Sequence, residues 1–374
     1  MEKNTILIPG AYGLVGSGIL KTILTKTSYP VIACGRSTEK LSILKREFKS
    51  KQLETMTLDA NDSSALKNAC NKARLVINCI GPYFEHGAGI ASAALEAHSS
   101  YIDFANEQSH YNRLKKLRTT AKERNCVLLT GAGFIPGIST LLAIMAHDRV
   151  EGLKSLETYY VQQRYREQGK GLGSYMSAVL ESNYKTLSYE NGQIIPMRLG
   201  DQKKIMDMPA PFGKTTFDRV PTLDSLILPK KMSLSSFANY MNLGGDVPPA
   251  MWKLVRLLKV HKRKWAYRIL KKMMEGMINS SFEKAVKQGI GYQCVVKIVG
   301  CGKNQKWTAT AHFPESGEVA TTYLPVIFAD KILKRIIKTS GLLTPIDHYE
   351  PENIIKQFSE FGWSLELHEE LDEV

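Results

Sequence analysis

The stretch "IPGAYGLVGSGILKTIL", residues 8–24, constrains this chain more than any other, and it follows directly on the apolar run Ile6–Ile8. Gly10, Gly13 and Gly16 fall at i, i+3 and i+6 and open an amphipathic segment carrying Ile19, Leu20, Ile23 and Leu24. Glycines punctuate any strand-to-helix loop. This spacing also suits a tight turn and close helix–strand packing. It leaves free N–H groups at the positive end of a helix dipole, where a pyrophosphate can sit. A second apolar run, "PVIACGRSTEKL" (30–41), arrives where the second strand of a βαβ unit should end. Together they predict a dinucleotide-binding loop of the G-x-x-G-x-x-G variety.

The end of that second strand bears on the cofactor. NAD-specific folds usually place a carboxylate there to accept from the ribose 2′-OH. Here the strand closes on Gly35-Arg36-Ser37, and the nearest acid, Glu39, lies past its end. A guanidinium can grip a 2′-phosphate through paired charge-assisted hydrogen bonds, with Ser37 and Lys40 able to assist. The expectation is NADP(H) in preference to NAD(H). A surface cation on a basic protein is the plainer alternative for Arg36.

The pattern then continues as a doubly wound α/β sheet would. Helix Thr38–Lys49 leads to a strand ending at Leu58, with Asp59 just beyond. Helix Ser63–Lys72 leads to "ARLVINCIGPY", an almost wholly apolar strand of the buried parallel type. Helices are expected at "GAGIASAALEAHS" and "YNRLKKLRTTAKERN", and strands at "SYIDFANEQ" and "CVLLTGAGFIPG". Strands alternating with helices of this length predict right-handed βαβ units. From about residue 146 the texture changes to alternating stretches, "LETYYVQQRY", "QCVVKIVGCG" and "KWTATAHF", which read as antiparallel strands around a Gly-, Pro- and Met-rich middle (190–250). The expected division is a Rossmann domain over 1–145 and an α+β domain over 146–329 that covers the cofactor and supplies the substrate pocket. The tail 330–374, a helix and a final strand, is expected to pack back on the first domain.

At 374 residues, 43% hydrophobic and 23% charged, the chain is of the globular type. The immediate first strand predicts no signal or transit peptide, and no apolar run approaches the ~18 residues of a membrane span. Six cysteines without C-x-x-C spacing read as reduced thiols in a cytoplasmic protein, and no metal site is apparent. The net charge of +14 concentrates in "KLVRLLKVHKRKWAYRILKK" (253–272), which holds nine Lys or Arg and no acid. Met251, Leu254, Leu258, Trp265, Ile269, Met273 and Met277 form a helical apolar stripe beside those cations. Such a helix over 251–277 can lie on an anionic membrane surface, dock on a partner, or simply be solvated. Without a recognisable nucleic-acid module, nucleic acid is not expected as a partner.

By the fourth strand the chain resembles a known family. "INCIGPYFEHGAGIASAALEAHSSYIDFANE" is similar to the stretch of saccharopine dehydrogenase-like oxidoreductases in which a strand ends in Asn-Cys-x-Gly-Pro-Tyr before a helix and a Tyr-x-Asp strand. "GAGFIPGIST" resembles their Gly-Phe/Leu-x-Pro-Gly exit from the Rossmann domain, and "GLLTPIDHYEPENIIKQFSEFGW" their C-terminal Gly-x-x-Thr-Pro segment. The resemblance covers 1–145 strongly, 146–320 weakly and the tail moderately. It implies a nicotinamide-dinucleotide enzyme, a homodimer, and a small-molecule substrate. By matching position, Gly10, Tyr12, Gly13, Leu14, Val15 and Gly16 would hold the pyrophosphate, and Arg36 and Ser37 the 2′-phosphate. Asp59 and Ala60 would flank the adenine, while Cys79, Ile80, Gly81, Pro82 and Tyr83 would line the way to the nicotinamide. The family's substrate-binding arginines have no counterpart at matching positions here, which implies a diverged substrate.

Hydride transfer needs alignment of the nicotinamide with its acceptor and a proton source. Tyr83, just past the cofactor strand, and His86, three residues on, are the catalytic candidates. The plainer readings are a packing aromatic and an exposed loop histidine. Asp103 and Glu107 follow the next strand and can bind an amine or imine, or cap a helix. Two functions are compatible with all this: an NADP(H)-dependent oxidoreductase acting on a C=N, C=O or C=C bond of a small metabolite, or a catalytically silent Rossmann scaffold held at a membrane surface.

Overall fold

The computed structural model describes residues 4–163, 187–197, 201–242, 293–348 and 350–373, with scattered positions between 254 and 291. It divides into two compact units, one of residues 1–138 with 318–363 and one of 139–317 with 364–374. The tail expected over 330–374 is therefore split at Trp363. Most of the basic stretch 251–277 lies outside the described residues.

The first unit alternates strand and helix: β1 (Ile6–Pro9), α1 (Leu14–Lys26), β2 (Val31–Gly35), α2 (Thr38–Phe48), β3 (Leu53–Thr57), α3 (Ser63–Cys70), β4 (Leu75–Ile77), α4 (Tyr83–Glu96), β5 (Ser100–Ile102), α5 (Gln108–Leu114), α6 (Arg118–Glu123) and β6 (Val127–Leu129). β1, β2, β4 and β6 are buried at every position, the signature of strands covered on both faces. Polar side chains start the helices between them. Ser37 Oγ accepts the Lys40 N–H at the head of α2, and Asp62 accepts from Ser64 and Ala65 at the head of α3. The strands form one all-parallel sheet in the order 3-2-1-4-5-6, the doubly wound arrangement, which β15 (Gly341–Leu343) extends beside β6. Order and direction bring the C-terminal ends of β1, β2 and β4 side by side.

Helix α4 begins at Tyr83, a turn before the expected Gly87. Pro82 sets the extended entry, and the Glu107 carboxylate takes the N–H of Tyr83 at 3.1 Å. That cap lies 24 residues downstream, out of reach of any local pattern. Near the chain's end, α10 (Pro351–Phe361) starts on a proline and stops at Gly362, whose φ of 78° no other residue adopts as easily.

The second unit is built on a mixed nine-stranded sheet. β7 (Ser155–Gln162), β13 (Cys294–Cys301) and β14 (Gln305–Phe313) run antiparallel as neighbours, and from Trp307 on β14 alternates buried with half-buried positions. β12 (Ser236–Met241) pairs with β7 in parallel, which makes the sheet mixed. The final strand, β16 (Glu366–Glu373), pairs with β14 in this sheet, because eight backbone positions there complete the edge of β14. Its acidic, exposed side chains leave the new edge charged, which discourages further strand addition.

Within this unit Asp224, the first residue of α8 (Asp224–Lys231), is fully buried and accepts from Ser139 Oγ at 2.7 Å and Thr140 Oγ1 at 3.0 Å. Burial raises its carboxyl to about 6, and the two hydroxyls restrain the rise. A carboxyl raised in the folded state binds its proton more tightly there, so its contribution is greatest at low pH and declines as pH climbs from about 4 to 6. At roughly 1.4 kcal/mol per pKa unit, ionised Asp224 costs about 3 kcal/mol at neutral pH. The Asp224→Asn variant should therefore gain on the unmodified protein by 2–3 kcal/mol between pH 4 and 7.5, in order-of-magnitude terms. Thermal melts of both at the two pH values check this; a stability difference independent of pH would refute it.

Candidate functional site

The three glycines of the opening motif do different work. β1 ends in a turn at Gly10, whose φ of +82° is a conformation glycine adopts freely. A Cβ on Gly10 would lie 2.8 Å from the Cys79 carbonyl oxygen, and one on Gly16 would lie 2.4 Å from that of Gly10. Those two positions are glycine so that β1, α1 and the end of β4 can approach one another. Gly13 differs. Its φ is −74°, and a Cβ there would meet only the Gly10 carbonyl, at 3.2 Å. The turn confines Gly13 less than Gly10 and Gly16, and Gly13 is the exposed N-cap of α1, with no side-chain cap and no acid in the first turn. The N-terminal amides of α1, on Leu14, Val15 and Gly16, are thus left open to an anion.

Beside this loop the end of β2 carries exposed Arg36, with Ser37 behind it as the cap of α2. Tyr12 lies across that end, its hydroxyl accepting the Arg36 N–H at 3.0 Å. Past β3, exposed Asp59 accepts from the backbone and side chain of Asn61, both at 3.0 Å, and Ala60 packs on the core beneath.

Beyond β4 the chain runs Asn78-Cys79-Ile80-Gly81-Pro82 into α4. Cys79 N–H donates to the Pro9 carbonyl at 2.9 Å, fixing this segment against the end of β1. Gly81 is exposed, and Cys79, Ile80 and Pro82 are half-buried. Tyr83 is buried, and its hydroxyl donates to the Asn78 carbonyl at 3.1 Å. Burial and the nearby Asp103 charge push that phenol well above its ordinary value. His86 stands one turn along α4, its side chain 29% exposed and 3.6 Å from the Glu85 carboxylate.

Beneath lies a polar cluster on the ends of β5 and β6. Asp103, fully buried, accepts from His110 Nε2 at 2.7 Å, Thr130 Oγ1 at 2.6 Å, the Ala105 amide at 3.0 Å and the Gly131 amide at 3.3 Å. Burial alone would raise its carboxyl, but His110, Thr130 and Ala105 together hold it below the usual range. Burial does raise Glu107, the cap of α4. The His110 ring fits against Gly87, where a Cβ would come within 2.4 Å of it. Asp103 and Glu107 are thus occupied by protein donors.

The profile of the saccharopine dehydrogenase NADP-binding domain matches residues 6–129. Those residues belong to that domain family. Both the open amides after Gly13 and the cationic end of β2 lie within that matched span. Among curated relatives, the "Lipid droplet localized protein" of Caenorhabditis elegans is 24% identical over 36% of this chain and 34% of its own length. A probable mitochondrial saccharopine dehydrogenase-like oxidoreductase of Arabidopsis thaliana is 24% identical over 47% and 42%, and the human saccharopine dehydrogenase-like oxidoreductase 23% over 41% and 40%. Each match thus spans less than half of the relative. Among solved structures, saccharopine dehydrogenase (L-Glu forming) of Saccharomyces cerevisiae aligns over 98% of this chain and 100% of its own, with a TM-score of 0.68 at 15% identity. That likeness is one of fold.

The NADP-binding domain gathers Gly10 to Gly16, Arg36, Ser37, Asp59 and Cys79 to Tyr83 at the C-terminal ends of adjacent parallel strands. Sequence reading did not single out Asn78, His110 and Thr130. Asn78 follows β4 and opens the Asn-Cys-x-Gly-Pro-Tyr motif, which was its signal; its amide ties Tyr101 Oη to the Ile80 N–H. His110 and Thr130 offer none, because only the packing of β5 against β6 brings them to Asp103. Because a Cβ on Gly13 would press only on the Gly10 carbonyl, at 3.2 Å, Gly13→Val should still fold, at a small cost in stability, and yet lose NADPH binding by a hundredfold or more. Calorimetric titration alongside a melt of the unliganded protein tests this. Unchanged affinity would mean that the helix end is not where the pyrophosphate sits.

Proposed function

We propose that this chain is an NADP(H)-dependent oxidoreductase that transfers a hydride to or from a C=N, C=O or C=C bond of a small metabolite. The observation that carries the reading is the uncapped, exposed start of α1 at Gly13, set beside an arginine at the end of β2. Amides and guanidinium suit a pyrophosphate and a 2′-phosphate on one ligand. The oxidoreductase names of the relatives support the reaction class. In this reading Asp59 and Ala60 border the adenine, and Cys79, Ile80, Gly81 and Pro82 border the nicotinamide.

Of the two catalytic candidates, we assign proton transfer to His86. Tyr83 is the weaker candidate: its hydroxyl is spent on the Asn78 carbonyl and burial disfavours its ionisation, so it serves as a prop under the β4–α4 turn. NADPH consumption against a panel of imines, ketones and enoyl thioesters tests the class. With an accepted substrate, His86→Ala should lower kcat by ~10²–10⁴-fold, whereas Tyr83→Phe should cost stability more than rate, roughly 1 kcal/mol. Turnover by none of the panel, with NADPH still bound, would leave a silent nucleotide binder.

We place the protein in the cytoplasm, where its free cysteines stay reduced, and, on the family resemblance, as a homodimer. No helix among the described residues is long and apolar enough to cross a membrane. Peripheral contact of 251–277 with an anionic membrane is supported by Leu257 (78% exposed), Trp265 (63%) and Ile269 (53%) amid basic residues. A relative named for lipid droplets agrees with it. The full chain should sediment with phosphatidylserine vesicles at low salt and be released near ~0.5 M salt, where charges are screened within a few Å. Failure to sediment at low salt would show that these cations are merely solvated.

A further inference from the structure

Gly35 ends β2 with an ordinary backbone, yet it has no room for a side chain. A Cβ there would lie 2.1 Å from Tyr12 Cε1 and 2.7 Å from its Cζ. The Tyr12 ring thus lies against the strand end, and its hydroxyl is pinned by the Arg36 N–H at 3.0 Å. On the ring sits the Lys40 ammonium, 5.4 Å from the centroid, a cation–π placement. Lys40 is itself held through its backbone, whose N–H donates to Ser37 Oγ at 3.3 Å. Tyr12 therefore joins the glycine loop to the β2–α2 turn. Among the described residues no acceptor takes the proton of its hydroxyl.

We propose that Tyr12 and Lys40 form, with Arg36, the pocket that selects the 2′-phosphate over a bare ribose hydroxyl. This rests on the NADP(H) reading above and moves Tyr12 from the pyrophosphate to the ribose end of the site. The arrangement is chemically complete for a phosphate dianion. Arg36 offers a planar fork, Lys40 a point charge fixed by the aromatic face, and Tyr12 an O–H donor whose orientation the Arg36 amide sets. Glu39, exposed, is the acid in the first turn of α2. A bare 2′-OH has no charge for Lys40 to meet, so the two residues discriminate between cofactors without serving the remainder of the dinucleotide.

Calorimetric affinities of the full chain for NADPH and NADH test this, with unliganded melts to confirm folding. Tyr12→Phe keeps the ring and its hold on Lys40 but removes the donor, and Lys40→Gln removes the charge. Each should weaken NADPH by roughly five- to twentyfold and NADH by less than twofold. Lys40→Gln should also flatten the salt dependence of NADPH binding. Arg36→Ala separates the layers of the argument. If Arg36→Ala loses the preference for NADPH while Tyr12→Phe and Lys40→Gln retain it, the proposal is overturned and the NADP(H) reading stands. If the unmodified protein binds both cofactors equally, the NADP(H) reading itself falls.

Discussion

The first unit depends on one close approach, the meeting of β1, α1 and the end of β4 at Gly10. Its positive φ turns the chain off the strand, its carbonyl fills the space a side chain on Gly16 would need, and the Cys79 carbonyl fills the space beside its own Cα. Any Cβ at these positions would force the helix off the sheet. From that contact follow the direction of α1, the exposure of its amides, and the seating of the Cys79–Pro82 segment alongside. The open amides at the start of α1 are thus a by-product of backbone packing, and Gly13 is the least confined of the three glycines.

A second constraint fixes the neighbouring end of the sheet. Asp103 is buried and its carboxyl is held below the usual range where four donors from the ends of β5 and β6 and from α5 converge on it, so removing any one leaves its charge under-satisfied in a low-dielectric interior. Glu107, four residues on, holds the first turn of α4 by its Tyr83 amide. These acids look catalytic in a sequence, at the end of a strand near a cofactor. In the fold they are the struts that hold the loops in place around the site.

In the second unit the structural part of the same chemistry recurs. Asp224 ties the start of α8 to the start of α7 (Ile138–Arg149) through two hydroxyls, with a carboxyl raised by burial and no compensating cation among its partners. The contrast with Asp103 is one of partners: a histidine lowers one buried acid, and neutral hydroxyls leave the other raised.

The sequence by itself determined the alternation of strand and helix, the parallel sheet, the glycine turn, the cationic end of β2 and the antiparallel strands that follow. Each is written in local periodicity, in residues a few positions apart, or in the absence of one residue type at one place. Tertiary structure alone decided that Gly13 is less confined than Gly10 and Gly16, and that Tyr12 lies on Gly35. It also decided that the Tyr83 hydroxyl is spent on Asn78, and that the last strand joins the second sheet. Those outcomes depend on which backbone and side-chain atoms meet once the elements are packed, whether five residues apart, as Tyr83 and Asn78 are, or far along the chain, as β14 and β16 are. The Glu107 cap on Tyr83 spans 24 residues and the Ser139–Asp224 bond 85, and no local pattern encodes a partner that far away.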